Sequence, residues 1–273
     1  MVKWQNPLNA GQQKEWTSGQ VRSTTGGLLK TMYASAVGEP KGTMILGHPM
    51  GKEAKAYFLK RGYTDFYRQN GWNIVLFDIN GFGESSHGNF FYFDDILAVS
   101  QYAKDIFPGQ KLGYHGISLG AQWAVIALAN PKNCLDFAVL ESPATTLDEF
   151  WVRFPAAHYA LSTLNFLMPA LRKKLRMIDH INSVQNTKRI LFIYSENDDW
   201  VPIEMGRRYH KNCNVPSELF VIPEAKHAEI GRSDHREAYF AALLHFVGKH
   251  LKALRFPASV QCDAGSRKIL CRQ

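Results

Sequence analysis

Short apolar runs alternate with longer segments of helical spacing along most of the chain. The runs rich in β-branched and aliphatic residues are GTMILGH, NIVLFDI, KLGYHG, LDFAVLES, RILFIYS and ELFVIPE. The segments between them that we interpret as crossover helices are AKAYFLKRGYTDFYRQNG, DDILAVSQYAKDIF, AQWAVIALAN and IEMGRRYHKNC. Parallel neighbours in a sheet need such crossovers. The alternation therefore predicts an α/β fold, with a mostly parallel central sheet covered by helices on both faces.

The alternation stops once, between Ala144 and Asn186, where the chain is rich in aromatic residues and is interrupted by Pro155 and Pro169. We interpret residues 144–186 as a helical lid insertion. The core is then formed by residues 1–143 and 187–255, and residues 256–273 are expected to be a loosely ordered C-terminal tail. The first forty residues are expected to add an antiparallel hairpin at one sheet edge.

Composition limits the class of protein. A chain of 273 residues with 45% hydrophobic residues can bury a large core. Its four cysteines, Cys134, Cys213, Cys262 and Cys271, lack the spacing of a zinc site, so we interpret them as free thiols in a reducing compartment. The first residues lack an apolar leader, and no apolar run reaches the roughly 18 residues of a membrane span. These observations predict a soluble, cytoplasmic protein.

The net charge of +8 does not by itself indicate a polyanion partner. Apart from residues 171–176 (LRKKLR) and the C-terminal tail, the basic residues are scattered. No nucleic-acid-binding module is recognisable, so we expect no nucleic-acid partner. We also expect no stable membrane insertion, although weak attraction to anionic lipid or acyl-CoA phosphates is compatible with this charge. The oligomeric state, including a homo-oligomer, is left open.

A serine lies between two glycines in GISLG (residues 116–120), after an apolar run and before a helical one. The pattern G-x-S-x-G between a strand and a helix is typical of a nucleophile held in a sharp turn. On this motif and on the order of elements over roughly residues 20 to 250, the chain resembles the α/β-hydrolase superfamily. The layout most resembles the small lidded branch that includes lysophospholipase-like, monoacylglycerol-lipase-like and serine-aminopeptidase-like members.

This resemblance implies a catalytic triad in the order serine, acid, histidine, with Ser118 as the nucleophile. YSENDDWVP supplies Asp198 and is similar to the superfamily's G-x-x-D-x-x-V-P, with Ser195 in place of the glycine. PEAKHAEI supplies His227 after the next strand, with Lys226 where a glycine is usual.

Two other carboxylates compete for the role of the acid. Asp199 is adjacent to Asp198 in the sequence, and Glu141 ends an earlier strand. The spacing to the Val-Pro pair favours Asp198 over Asp199.

Two backbone N–H groups are needed to stabilise the negative charge of a tetrahedral intermediate. Leu119, directly after the serine, supplies the first. GHPMG (residues 47–51) resembles the superfamily's H-G-x-x-G, but Pro49 has no N–H to donate. The second donor is therefore assigned to Met50, and His48 is interpreted as a structural brace for this loop.

The remaining motifs have structural interpretations. DINGFGES (residues 78–85) is similar to a loop of the same superfamily, in which Asp78 and Ser85 would hold the turn. His115 is expected to be buried packing. No phosphate-binding loop or metal-spaced His/Cys set is present, so no cofactor and no metal are implied.

The lid is expected to set the choice of substrate, although its apolar residues could equally serve to pack it on the body. The predicted pocket residues are Trp151, Phe154, Tyr159 and Phe166. Leu164, Leu167 and Met168 belong to the same apolar set.

The sequence thus predicts a serine hydrolase that cleaves carboxylic esters or thioesters through an acyl-serine intermediate. Serine at the corner excludes the haloalkane-dehalogenase and epoxide-hydrolase variants of the fold, which use aspartate. Two alternatives stay open. One is an aminopeptidase-like amide hydrolase, in which Asp148 and Glu149 would recognise a free amine, and the other is a noncatalytic protein that binds a small apolar ligand.

Overall fold

The apolar runs of the sequence all form strands, and the strands assemble into one sheet. The computed structural model describes residues 5–248 and 261–264. The strands are β1 (Thr17–Arg22), β2 (Leu28–Ala34), β3 (Gly42–Gly47), β4 (Trp72–Phe77), β5 (Leu112–Ile117), β6 (Phe137–Glu141), β7 (Arg189–Ser195), β8 (Ser217–Ile222) and β9 (Gln261–Ala264). Within the described residues their order in the sheet is β1-β2-β4-β3-β5-β6-β7-β8-β9.

The centre of the sheet is parallel and its edges are antiparallel. Strands β3 to β8 run in one direction, whereas β1, β2 and β9 pair antiparallel with their neighbours. The predicted α/β-hydrolase-type sheet and the N-terminal edge hairpin are thereby confirmed. Of the expected tail, 256–273, the structure describes the backbone of β9, and residues 256–260 and 265–273 lie outside the described residues.

Helices cover both faces of the sheet. They are α1 (Ala10–Gln13), α2 (Ala56–Lys60), α3 (Tyr63–Gln69), α4 (Phe93–Ile106), α5 (Leu119–Leu128), α6 (Leu147–Trp151), α7 (Pro155–Leu167), α8 (Pro169–Lys174), α9 (Ile203–Asn212) and α10 (Arg236–Val247). The segment interpreted as one crossover helix after β3 is two helices, because Gly62 between them adopts φ 75°, outside the helical region. The sequence interpretation also assigned no helix to α10.

Alternate residues of each central strand enter two separate hydrophobic cores. In β4, Val75 and Phe77 belong to the core that also contains residues of α4, α5 and α9, while Ile74 and Leu76 belong to the core that contains residues of α2, α3 and α10. Every residue of β3, β4, β5 and β6 is buried. Burial on both faces explains why these strands are continuous apolar runs rather than alternating ones.

Residues 144–186, between β6 and β7, contain α6, α7, α8 and two short 3₁₀ turns. Pro155 and Pro169 begin α7 and α8, where a missing N–H costs nothing. The start of this insertion is fixed in the core, because the buried Tyr194 and Tyr209 hydroxyls donate to the carbonyl oxygens of Pro143 and Ala144, each at 2.7 Å. Neither α7 nor α8 contributes a buried side chain.

A buried ion pair joins the loop after β3 to the loop after β4. Lys55 Nζ lies 2.5 Å from Asp78 Oδ2 and 2.7 Å from Glu84 Oε2, and its backbone N–H donates to Asp78 Oδ1 at 2.8 Å. Both the Lys55 and Asp78 side chains are almost fully buried. Gly83 passes so close that a Cβ there would lie 2.3 Å from Asp78 Oδ2. The structural role expected for Asp78 is thus to hold these two loops together.

Removal of the lysine charge should destabilise the fold. We expect Lys55→Met to lower the free energy of unfolding by about 3–5 kcal/mol, because it leaves the Asp78 carboxylate buried without its cation. Urea unfolding followed by circular dichroism measures the change. Lys60→Met is the matched control, since Lys60 pairs with Glu53 at the surface and should cost less than about 1 kcal/mol. Equal losses in the two variants would contradict the assignment.

Candidate active site

Ser118 occupies a sharp corner between β5 and α5. Its backbone is at φ 51° and ψ −110°, a conformation that costs a non-glycine residue energy. Glycines on both sides allow the corner. A Cβ on Gly116 would lie 2.7 Å from the backbone nitrogen of Ala121, and one on Gly120 would lie 2.2 Å from the carbonyl oxygen of Gly47. The G-x-S-x-G pattern is therefore explained by two close backbone contacts, and these present the serine at the carboxyl end of the sheet.

His227 lies in the loop after β8 and contacts the serine. The distance from Ser118 Oγ to His227 Nε2 is 2.7 Å. The next residue, Ala228, has φ 57°, and its carbonyl oxygen accepts a hydrogen bond from the Tyr57 hydroxyl at 2.5 Å. This bond from α2 holds the histidine loop above the sheet.

Asp198, after β7, lies on the far side of the imidazole. Its Oδ2 and Oδ1 are 2.8 Å and 3.1 Å from His227 Nδ1, and Oδ1 also accepts the N–H groups of Trp200 and Val201, each at 2.9 Å. Burial disfavours the carboxylate, but the hydrogen bond and charge of His227 and the two N–H groups outweigh it and lower the pKa of Asp198. An ionised Asp198 requires a proton on Nδ1. Nε2 is then free to accept the proton of the serine.

Ser195 stands where the superfamily's G-x-x-D-x-x-V-P motif has a glycine. Its side chain joins the loop that carries Asp198 to the loop that carries His227. Its Oγ accepts the N–H of Ala225 at 2.8 Å and the N–H of Asn197 at 3.2 Å. The hydroxyl thus connects the segment before His227 to the segment before Asp198. The substitution supplies an acceptor that glycine could not.

The two competing carboxylates are placed differently. Asp199 is exposed, and Glu141 is buried beneath the serine, with its Oε2 accepting a hydrogen bond from the Tyr239 hydroxyl at 2.6 Å. Burial raises the pKa of Glu141 to about 8. Its backbone carbonyl, rather than its side chain, contacts the corner, because it accepts the N–H of Ser118 at 2.8 Å.

The loop after β3 brings a second backbone segment to the corner. His48 is fully buried, with Nδ1 2.8 Å from the Pro49 carbonyl oxygen and Nε2 accepting the N–H of Ile79 at 3.0 Å. Burial lowers the pKa of His48, so the ring is a neutral brace. The carbonyl of the same residue accepts the Gly120 N–H at 3.2 Å. These bonds fix Met50 close to the start of α5.

The Met50 and Leu119 N–H groups are available for a ligand. Within residues 5–248, neither donates a hydrogen bond to another protein group. Met50 also lines the cavity into which Ser118 opens. The arrangement is compatible with two donors facing one oxygen atom of a ligand.

The cavity beside Ser118 has a volume of about 340 Å³. One wall is aromatic, since the Phe150 and Trp200 rings lie 5.8 Å apart and are 6.4 Å and 6.2 Å from the His227 ring. Tyr57 and Arg61 also line it, together with Ser118 and His227. We call this cavity the slot; its lining combines aromatic rings with charged side chains.

The four pocket residues predicted from the sequence are not in this lining. Trp151 and Phe154 pack against the lining residues instead. The Trp151 ring centroid is 5.4 Å from that of Phe150, and the Phe154 centroid is 5.7 Å from that of Trp200. Tyr159 and Phe166 on α7 are 71% and 85% exposed. The structure therefore brings neither of these last two to the serine.

Sequence reasoning found Met50, Ser118 and His227 in the lining of the slot but missed Phe150, Trp200 and Arg61. Trp200 lies two positions after Asp198, and this proximity was the available signal. Arg61 carried no signal. Its guanidinium lies 3.8 Å from the centroid of the Tyr57 ring and bonds Glu53 and Glu229 at 2.5 Å and 3.1 Å. It connects α2 to the residue two positions after His227.

Residues 5–248 and 261–264 contain no cluster of His, Cys, Asp or Glu arranged to hold a metal ion. No helix in these same ranges has the length and apolar character of a membrane span. The described thiols, Cys134 and Cys213, are free.

Comparison with known proteins now assigns the class. A model of the prolyl oligopeptidase family matches residues 70–254, and the chain belongs to this family. By fold and family it is a member of the α/β-hydrolase superfamily, as the sequence resemblance predicted.

Individual relatives are more distant. The uncharacterized protein YqkD of Bacillus subtilis (strain 168) is 26% identical over 205 residues, which cover 68% of this chain and 65%, just under two thirds, of that protein. The Pyrococcus furiosus esterase Pf2001 has a TM-score of 0.69 at 19% identity, with 91% of this chain and 98% of that chain covered. Est1E of Butyrivibrio proteoclasticus has a TM-score of 0.64 at 16% identity, with 85% and 98% covered. The likeness to these two structures is one of fold.

The buried carboxyl beneath the serine should make stability depend on pH. The pKa of Glu141 is about 8 in the folded protein against an ordinary 4.5, so the folded state binds the proton more tightly. The resulting stability is complete below about pH 4.5 and is lost as the pH rises to about 8. We expect Glu141→Gln, which keeps the bond from Tyr239, to be near neutral at pH 4.5. At pH 8 it should be roughly 3–5 kcal/mol more stable than wild type.

Urea unfolding at several pH values measures this difference. Glu218→Gln is the control, since Glu218 is a partly exposed glutamate in the edge-side strand β8. A difference between Glu141→Gln and wild type that stays constant across this pH range would contradict the prediction.

Proposed function

We propose that the protein hydrolyses carboxylic esters or thioesters through an acyl-serine intermediate, with Ser118, His227 and Asp198 as its catalytic triad. The observation that carries the proposal is the 2.7 Å contact between Ser118 Oγ and His227 Nε2, with the carboxylate of Asp198 at 2.8 Å from Nδ1. This is the geometry in which a serine hydroxyl becomes a nucleophile at neutral pH.

In the first half-reaction, the Ser118 Oγ–H proton passes to His227 Nε2 as Oγ bonds to the substrate carbonyl carbon. The oxygen of the tetrahedral intermediate accepts hydrogen bonds from the Met50 and Leu119 N–H groups. The intermediate collapses, the bond to the alcohol or thiol breaks, and His227 returns the proton to that leaving group.

In the second half-reaction, water gives a proton to His227 and attacks the acyl-serine. Collapse of the second intermediate releases the carboxylic acid and returns the proton to Ser118 Oγ. Asp198 remains ionised throughout and stabilises the imidazolium that forms in each half-reaction.

The cavity favours small or flat acyl groups. Its volume of about 340 Å³ is at the lower end of the range for small-molecule sites. Phe150 and Trp200 offer an apolar wall to the acyl chain or to an aromatic acyl group. We therefore infer that esters of short or aromatic acids are better substrates than long-chain esters. Tyr159 and Phe166 are not part of this proposed pocket.

Amide hydrolysis is a second candidate, because the chain belongs to a family named for prolyl oligopeptidases. The acidic pair considered for amine recognition does not favour it. Glu149 pairs with Arg208 at 2.8 Å and also hydrogen bonds with Thr145, so its charge is already compensated. Glu53 and Glu229 line the cavity but are paired with Arg61. The ester proposal is therefore preferred.

Replacement of the serine should abolish both activity and labelling. We expect Ser118→Ala to lose fluorophosphonate labelling and at least about 10⁴-fold in kcat/KM for p-nitrophenyl acetate. The same assay with longer acyl chains, acyl thioesters and aminoacyl p-nitroanilides ranks the three bond types. Ser35→Ala, at an exposed serine, should behave as wild type. Labelling that persists in Ser118→Ala would defeat the proposal.

The two adjacent aspartates should differ sharply. We expect Asp198→Asn to lower kcat for p-nitrophenyl acetate about 10³–10⁴-fold, because an amide no longer stabilises the imidazolium or fixes the Nδ1 proton. Asp199→Asn is the matched control and should retain activity within about twofold, since Asp199 is exposed. Steady-state kinetics on both purified variants decides, and comparable losses would show that Asp198 is not the orienting acid.

A further inference from the structure

The insertion presents an unusual apolar surface. Among its exposed side chains, Phe166 is 85% accessible, Tyr159 71% and Leu167 69%, and Val152 and Met168 are also exposed. We call these five residues the apolar patch. Isolated exposed apolar side chains are common, whereas five within residues 152–168 of one segment are typical of a surface that binds a partner.

Basic residues adjoin the apolar patch directly. Residues 152–176 contain five Lys or Arg and no Asp or Glu. Arg172 and Lys173 follow the end of α7 by a single turn, are exposed, and form no ion pair with any described residue. Lys174 lies 4.1 Å from the Phe91 ring centroid, and Arg176 pairs with Asp179. The segment therefore combines aromatic and aliphatic side chains with a local excess of positive charge.

Two kinds of surface could cover the apolar patch, a second copy of the chain or a lipid membrane, and the neighbouring basic residues favour the membrane. In a contact between residues 152–176 of two copies, neither copy supplies a carboxylate to the other's cations, since the segment has none. An anionic lipid surface satisfies both features, because aromatic and aliphatic side chains enter the interface while Lys and Arg contact the headgroups. We propose that residues 152–174 dock the protein reversibly on anionic membranes. This docking is a binding property that does not depend on the proposed catalysis.

The geometry of the fold is compatible with a peripheral mode. The insertion is anchored by Tyr194 and Tyr209 at its start, so α7 and α8 can meet a flat surface while the sheet stays outside it. Neither helix contributes a fully buried side chain, although the partly buried Leu171 of α8 packs against the core, so docking does not require the core to open.

Vesicle cosedimentation tests the proposal with Ser118→Ala as the parent protein, so that no lipid is hydrolysed during the measurement. We expect binding to vesicles of phosphatidylcholine mixed with phosphatidylglycerol, weak binding to phosphatidylcholine alone, and loss of binding as salt increases. Arg172→Gln and Lys173→Gln should each weaken binding to the mixed vesicles about fivefold. Leu167→Ser should weaken it as well.

Matched controls separate this surface from general charge and hydrophobicity. Lys188→Gln removes another exposed basic residue, and Val37→Ser removes an exposed apolar side chain that is distant in the sequence. Both should bind as the parent does, and circular dichroism verifies that every variant is folded. Equal binding by all variants, or no binding to the mixed vesicles, overturns the proposal. Self-association that Leu167→Ser abolishes, without vesicle binding, would assign the apolar patch to a second copy and also overturn it.

Discussion

The corner at Ser118 is the constraint on which the rest of the site depends. A serine with positive φ is held there because its N–H donates to the Glu141 carbonyl, and because glycines on both sides let three backbones approach one another. At Gly120 a single methyl group would collide with the carbonyl oxygen of Gly47. The close contact between α5 and the end of β3 is thus a condition for both the exposed hydroxyl and the position of Met50. Strain at one residue is offset by packing around it.

The parallel strands of the sheet bring the other residues of the site to Ser118. The loops that follow β3, β5, β7 and β8 leave the sheet at the same edge, so residues distant in the chain meet there. Bonds within and between these loops set the distances. The Ser195 hydroxyl joins the loops that carry Asp198 and His227, and the Tyr57 hydroxyl holds the second of these from α2. The site is assembled by the sheet and then adjusted by side-chain hydrogen bonds.

The separate roles of sheet topology and of side-chain packing explain what could be predicted from the sequence. The strands and the meeting of Ser118, Asp198 and His227 follow from chain order and from the G-x-S-x-G pattern, which reflect topology. The lining of the slot depends on helix phase. Of the two adjacent aromatic residues of α6, Phe150 lines the slot and Trp151 does not, and that choice depends on how α6 packs on the body. The break at Gly62 and the exposure of α7 likewise depend on tertiary packing, for which apolar composition alone is a poor guide.

The attachment of the insertion has an evolutionary consequence. Tyr194 and Tyr209 hold the start of the insertion from inside the hydrophobic core, whereas α7 and α8 contribute no fully buried side chain and α8 contacts that core through the partly buried Leu171. Core packing therefore constrains substitutions in α7 and α8 less than it constrains substitutions in β7 or α9. Sequence change in α7 and α8 can therefore alter what this segment binds, while the α/β body of the protein keeps its structure.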